Sequence, residues 1–176
     1  MTKRLKEKID YINGMAYVDK MTGVKNKSAY LEWIERVEYA INANTADFAV
    51  LIADVNDLKV TNDTQGHQVG DLLIKDASEQ ICKTFKRSPV FRIGGDEFVV
   101  IIERPSEEEL NAALEELQKS FKEVSDDRSE VYAKLSVACG IAVYEKGTDK
   151  DYESVFNRAD ERKNKEKMVM KNGNVR

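Results

Sequence analysis

Proline occurs twice, cysteine twice and glycine nine times in 176 residues. So few breakers leave no flexible linker, and no internal repeat or low-complexity block interrupts the chain. Cys82 and Cys139 lie far apart, each inside an apolar segment. They make neither a disulfide framework nor a metal knuckle and read as small core residues of a reducing compartment. No apolar run approaches the roughly 20 residues that span a bilayer, and the opening MTKRLKEKID does not lead into the apolar core of a secretory signal. An excess of one charge is missing too. The 28 basic and 32 acidic side chains give a net charge of −4, which argues against nucleic acid and acidic membrane as partners. What remains is a soluble, cytoplasmic α/β domain long enough to bury a sizeable core.

Residues 1–18 are polar and helix-permissive, with Leu5, Ile9, Ile12 and Met15 on a single stripe, and are expected to be a helical linker ending a signalling helix. The segment 29–41 carries Leu31, Ile34, Val37 and Ile41 at helical spacing. The run 48–54 is continuously apolar and ends in an acid, as a strand buried on both faces would. A helix is predicted over 69–85. PVFRI and EFVVIIE form a hairpin around Gly94-Gly95-Asp96. Ser106 and Glu109 form a capping box that opens a helix through Phe121. A strand follows over 133–144 and a last helix begins at Asp151. One mostly antiparallel sheet with helices on one face is the economical α+β arrangement.

Three acids sit where strands stop: Asp54, Asp96 and Glu97. Neighbouring strand ends would bring them to one sheet edge, where they need a cation, and oxygen ligands favour Mg²⁺ or Mn²⁺. Gly94 and Gly95 leave room for a phosphate chain. Taken alone, the turn suits a solvated Asp-Glu pair equally well. The stretch 54–71 is predominantly polar yet lies between a core strand and a core helix, the mark of a functional loop. It offers Lys59 for phosphate, and Asn62 with Asp71 for the edge of a guanine base. His67 stands there either as a general base or, the favoured reading, as a turn residue between glycines.

RIGGDEF (92–98) resembles the signature of GGDEF-domain diguanylate cyclases. DKMTGVKNKSAY (19–30), the stretch 54–71, SVACGIAVY (136–144) and NRAD (157–160) resemble four further family segments in the same order, so the likeness covers about residues 17–172. The resemblance implies a nucleotide-cyclase or polymerase-palm fold with a ferredoxin-like core over 19–176. It implies condensation of two GTP into cyclic di-GMP by two-metal catalysis in a homodimer. Asp54, Asp96 and the Val55 carbonyl would hold two Mg²⁺ ions, and Glu97 would orient or deprotonate the attacking hydroxyl. Asn62 and Asp71 would read guanine, with Lys59, Gly94 and Gly95 at the phosphates.

Departures are confined to a few positions. Asn56 replaces an acid and Leu58 a phenylalanine. In the last helix the family pattern A-D-x-x-M-Y-x-x-K meets Ala159-Asp160-Glu161-Arg162-Lys163-Asn164. Without a gap, Lys167 is the phosphate-binding lysine; with two residues missing, Lys165 is, and the broken apolar stripe favours Lys165. Phe85 and Ser88 stand where the family's Arg-x-x-Asp product-inhibition motif would fall. The alternative function is a GTP-binding or regulatory module without turnover. An RNA-binding reading fails for want of surface aromatic pairs on the strands.

Overall fold

Phe48–Val55 forms the strand (β1) around which everything else is laid, and Ala49 to Ala53 are entirely shielded from solvent. This computed structural model describes residues 16–127 and 134–173, so the Leu5–Met15 stripe lies outside the described residues. The elements run α1 (Lys27–Asn42), β1, α2 (Leu58–Gln65), α3 (His67–Thr84), β2 (Val90–Arg92), β3 (Glu97–Glu103), α4 (Glu107–Asp126), β4 (Val137–Val143) and α5 (Tyr152–Gly173). The four strands form one antiparallel sheet in the order β2-β3-β1-β4.

Alternation along β1 explains its unbroken hydrophobicity. Leu51, Ala53 and Val55 face a core built with α3 and α4 through Leu73, Ile74, Ala77, Ile81, Leu117 and Phe121. Phe48, Val50 and Ile52 face a second core with α1 and α5 through Tyr30, Val37, Ile41, Val155 and Ala159. Helices therefore cover both faces of the sheet. This corrects the one-face expectation, because a central strand with no polar face needs cover on both sides.

The local signals behave as their chemistry requires. The Asn26 side chain caps α1 by accepting from the Ala29 N–H at 3.1 Å. Ser106 and Glu109 close the capping box at the start of α4, a contribution of about 1 kcal/mol. The expected loop 54–71 is instead mostly helical. After Asp57, whose φ is +55°, α2 makes two turns, Gly66 reverses the chain at φ +90°, and α3 starts at His67. The α2 helix escaped the periodicity argument because it is short and turns Leu58, Thr61 and the polar Asn62 toward the protein.

Both sheet edges are covered. Beyond β2, Lys25 donates its N–H to the Val90 carbonyl at 3.0 Å and accepts from Arg92 at 2.8 Å. At β4, α5 supplies side chains to the open edge: Arg158 to the Val143 carbonyl, Arg162 to the Ile141 carbonyl and Glu166 to the Cys139 N–H. These three lie at four-residue spacing on one stripe and reach alternate residues of the strand.

Candidate active site

Asp54 and Glu97 are direct cross-strand partners at the end of β1. Asp54 shares its side of the sheet with Val50 and Ile52, and Glu97 with Val99 and Ile101, so both carboxylates lie on the α5 face. The Asp96 backbone carbonyl accepts from the Val55 N–H at 2.9 Å and fixes the turn against β1. Among the described residues no group of three or more Asp, Glu, His or Cys side chains gathers to hold an ion. Of the three acids expected together, Asp54 and Glu97 face each other across the strands, and Asp96 sits in the turn that precedes β3.

Each acid of the pair carries an ammonium group from α5. Lys167 Nζ lies 2.6 Å from Asp54 Oδ1, and Lys163 Nζ lies 3.2 Å from Glu97 Oε1 and 2.6 Å from Asp160 Oδ1. Burial, the largest influence on Lys163, pulls its pKa down, yet Asp160 and Glu97 together lift it above the ordinary lysine value. Further along the same helix face, the Met170 sulfur accepts from Asn56 Nδ2, which also donates to Ser136 Oγ at 2.9 Å. Asn56, in place of an acid, thereby ties the end of β1 to the entry of β4. Lys165, favoured on the stripe argument, is exposed, whereas the ungapped candidate Lys167 sits on Asp54.

The α2–α3 pair brings Asn62 and Asp71 into one neighbourhood. A methyl group on Gly70 would lie 1.9 Å from Asn62 Oδ1, so the absent side chain at 70 is what lets the carboxamide rest beside the residue preceding Asp71. Asn62 Oδ1 is buried against the Gly70 backbone without a hydrogen-bond partner. Lys59 and His67 are exposed on the same two helices. No hydrogen bond or ion pair joins this group to the acid pair among the described residues. Phe85 and Ser88 line a separate depression of about 660 Å³ between α3, β3 and α4.

The hairpin is held from behind. Arg92 donates to the Gly95 carbonyl at 2.7 Å and to Asp19 Oδ1 at 3.1 Å. Asp19 in turn accepts from the Thr22 N–H and hydroxyl at 3.0 and 2.7 Å. Burial, the strongest influence, pushes the Asp19 carboxyl up, but Thr22 and Arg92 outweigh it and hold its pKa below the usual value. The opening D-K-M-T-G segment is therefore a brace for the Gly94–Gly95 turn. The turn itself is open: a methyl on Gly95 would meet nothing within 4 Å.

The family description "Diguanylate cyclase, GGDEF domain" matches residues 16–173. The chain belongs to the GGDEF domain family. It is 36% identical over 115 residues to the bifunctional diguanylate cyclase/cyclic di-GMP phosphodiesterase MucR of Pseudomonas aeruginosa, covering 62% of this chain and 16% of that protein. It is 32% identical over 148 residues to the diguanylate cyclase DosC of Escherichia coli K12, covering 82% of this chain and 31% of that one. The coiled coil and GGDEF domain of DgcB from Caulobacter crescentus, solved in complex with c-di-GMP, superposes with a TM-score of 0.81 at 25% identity, covering 95% of this chain and 88% of that one. The match confirms the palm-like cyclase fold expected from the sequence. The chain spans between 16% and 41% of the length of the first curated relatives it matches. No described helix is long and apolar enough to cross a membrane.

The family implies divalent metal, and the donor chemistry of this GGDEF domain fits it. The pair offers oxygen donors alone, and two ammonium groups already stand against them. Mg²⁺ is commonly bound by one or two carboxylates with waters and substrate phosphates rather than by an all-protein cage. Sequence reasoning missed Lys163, the Arg92–Asp19 brace and the stitching of β4. The signal for Lys163 was present as the break in the α5 stripe, where a buried lysine demands a buried acid partner.

Proposed function

We propose that this domain condenses two molecules of GTP into cyclic di-GMP with release of two pyrophosphates. The observation that carries the reading is the facing pair Asp54–Glu97 at the mouth of the open Gly94–Gly95 turn. Asp54 and Glu97, with the Val55 carbonyl and Asp96 at the turn, are the donors for two Mg²⁺ or Mn²⁺ ions. When bound, such ions activate the 3′-oxygen and stabilise charge at the α-phosphate. Glu97 also orients the 3′-hydroxyl or accepts its proton. Lys167 exchanges Asp54 for a phosphate oxygen, and Lys59 neutralises a further phosphate. Lys165, exposed on the opposite side of that turn of sequence, is left out of the assignment. Asn62 and Asp71, brought together by the close packing of α2 on Gly70, take the guanine edge.

Each domain holds one GTP, so two copies meet about a two-fold axis and each 3′-hydroxyl attacks the partner copy's nucleotide. The test is incubation with GTP and Mg²⁺ over a hundredfold range of protein concentration, with chromatography of the products. Cyclic di-GMP forming at a rate per chain that rises with concentration is expected. Asp71→Ala is expected to lose discrimination against ATP, by a factor on the order of 10⁴ where a hydrogen-bonding pocket is left unpaired. The ammonium groups on both acids favour a second reading, a domain that binds nucleotide without turnover. Saturable GTP binding with no product selects it.

A further inference from the structure

We propose that Lys163 is a tethered cation that competes with a divalent ion for Glu97 and so sets the metal affinity of the acid pair. The inference rests on the reading that Asp54 and Glu97 receive such an ion, and adds a residue that regulates it.

Lys163 continues the α5 stripe of Val155 and Ala159, both fully buried, and is itself only 6% exposed. An apolar side chain would satisfy that position at no electrostatic cost, whereas a lysine there needs acid partners. The backbone allows no retreat. Gly140 of β4 lies so close under α5 that a methyl group on it would sit 2.3 Å from the Lys163 nitrogen. The helix is pinned at this residue, and the side chain extends from a fixed point to Glu97 and Asp160. Lys167 differs: it is more exposed and, among the described residues, pairs with the single acid Asp54.

An ion bound to Glu97 takes up an oxygen at roughly 2.0–2.1 Å for Mg²⁺. Through Oε1 it displaces the ammonium, and through Oε2 it lies beside it; either way the two cations compete for one carboxylate. Asp160, one helical turn before Lys163 and bonded to it more closely than Glu97 is, supplies the refuge. The ammonium surrenders Glu97 and stays paired to Asp160, so no buried charge is orphaned. Two arrangements follow, one shared between Glu97 and Asp160 without metal and one on Asp160 alone with metal. Lys163 is a positioning residue for the metal, not a group that touches substrate.

The test is a Mn²⁺ titration of the full chain without nucleotide, with free Mn²⁺ read by electron paramagnetic resonance and folding checked by circular dichroism. Lys163→Met is expected to tighten Mn²⁺ binding at least tenfold, and Lys163→Gln to tighten it in the same direction should the Met variant misfold. Asp160→Asn is expected to weaken binding at least threefold in the wild-type background and to have no effect in the Lys163→Met background, since the refuge matters only while the ammonium is present. A folded Lys163→Met variant within twofold of wild type overturns the proposal, as does an Asp160→Asn effect that persists without the lysine. Wild type and every variant failing to take up Mn²⁺ would overturn the acid-pair reading itself, and this proposal with it.

Discussion

Among the described glycines, replacing Gly140 by alanine is the most severe change. The added carbon would lie 2.1 Å from the Ala159 carbonyl oxygen, 2.3 Å from the Lys163 nitrogen and 2.9 Å from the Lys163 Cα. All three neighbours are backbone atoms of α5, so no side chain can swing away. Relief to an ordinary contact requires the helix to lift by about 1 Å or more, since packed interiors leave no slack. Lifting loosens Val155 and Ala159, which are fully buried, and draws Lys163 off Glu97. Overpacking costs about 1–3 kcal/mol where neighbours can adjust; here they cannot, and about 3 kcal/mol or more is expected. Two glycines serve as controls. Gly147 has φ +88° and open space around it, so Gly147→Ala pays only for conformation, about 1 kcal/mol. Gly95→Ala meets nothing and has no positive φ, so stability should not change. Urea denaturation followed by circular dichroism measures all three. A Gly140→Ala variant within about 1 kcal/mol of wild type would refute the claim that α5 rests on the β4 backbone.

Two other changes probe the supports of the site. Arg162→Ala removes the donor to the Ile141 carbonyl and should cost about 1 kcal/mol, with faster aggregation on heating as the β4 edge opens, read by light scattering; unchanged aggregation would show that the arginine does not guard the edge. Asp19→Asn tests the brace through pH. Because the folded Asp19 pKa lies below its ordinary 3.8, its contribution is complete above that value and is lost as the pH falls through the lower folded one. The variant should therefore be less stable than wild type by about 1 kcal/mol at neutral pH, with the two converging in strong acid, as followed by thermal melts; a gap that persists there would assign the loss to something other than charge.

Strand and helix positions were legible wherever one periodicity dominated. β1 read as a doubly buried strand from its unbroken apolar run, α4 from its capping box and stripe, and the β2–β3 hairpin from Gly94-Gly95-Asp96. The second layer of helices was not legible, because residues 48–55 announce burial on both faces without saying what covers each. α2 was hidden by its polarity. Asp54 and Glu97 were visible as strand-end acids, but the sequence could not say that these two are direct cross-strand partners, since that depends on which residue of the turn enters β3. The brace was equally silent: Asp19 and Arg92 are far apart in sequence, and neither breaks a pattern.

In the last helix the stripe argument favours Lys165, which is exposed, whereas Lys167 is the lysine that pairs with Asp54. An amphipathic helix is expected to keep an apolar face because it usually covers an apolar surface. Beyond Ala159, α5 no longer lies over the sheet's core. One side of it runs along the edge of β4, where free backbone groups need donors and acceptors, and Arg158, Arg162 and Glu166 supply them in step with alternate strand residues. The adjoining side crosses the acidic end of β1 and β3, where Lys163 and Lys167 meet Glu97 and Asp54. Polar residues at 162 and 163 are thus the continuation of a packed face over a polar surface, not a sign that two residues were lost. With the helix unbroken and ungapped, the four-residue step from Lys163 to Lys167 is what sets two ammonium groups against two facing carboxylates. A two-residue shift would have carried one of them to solvent, where Lys165 stands.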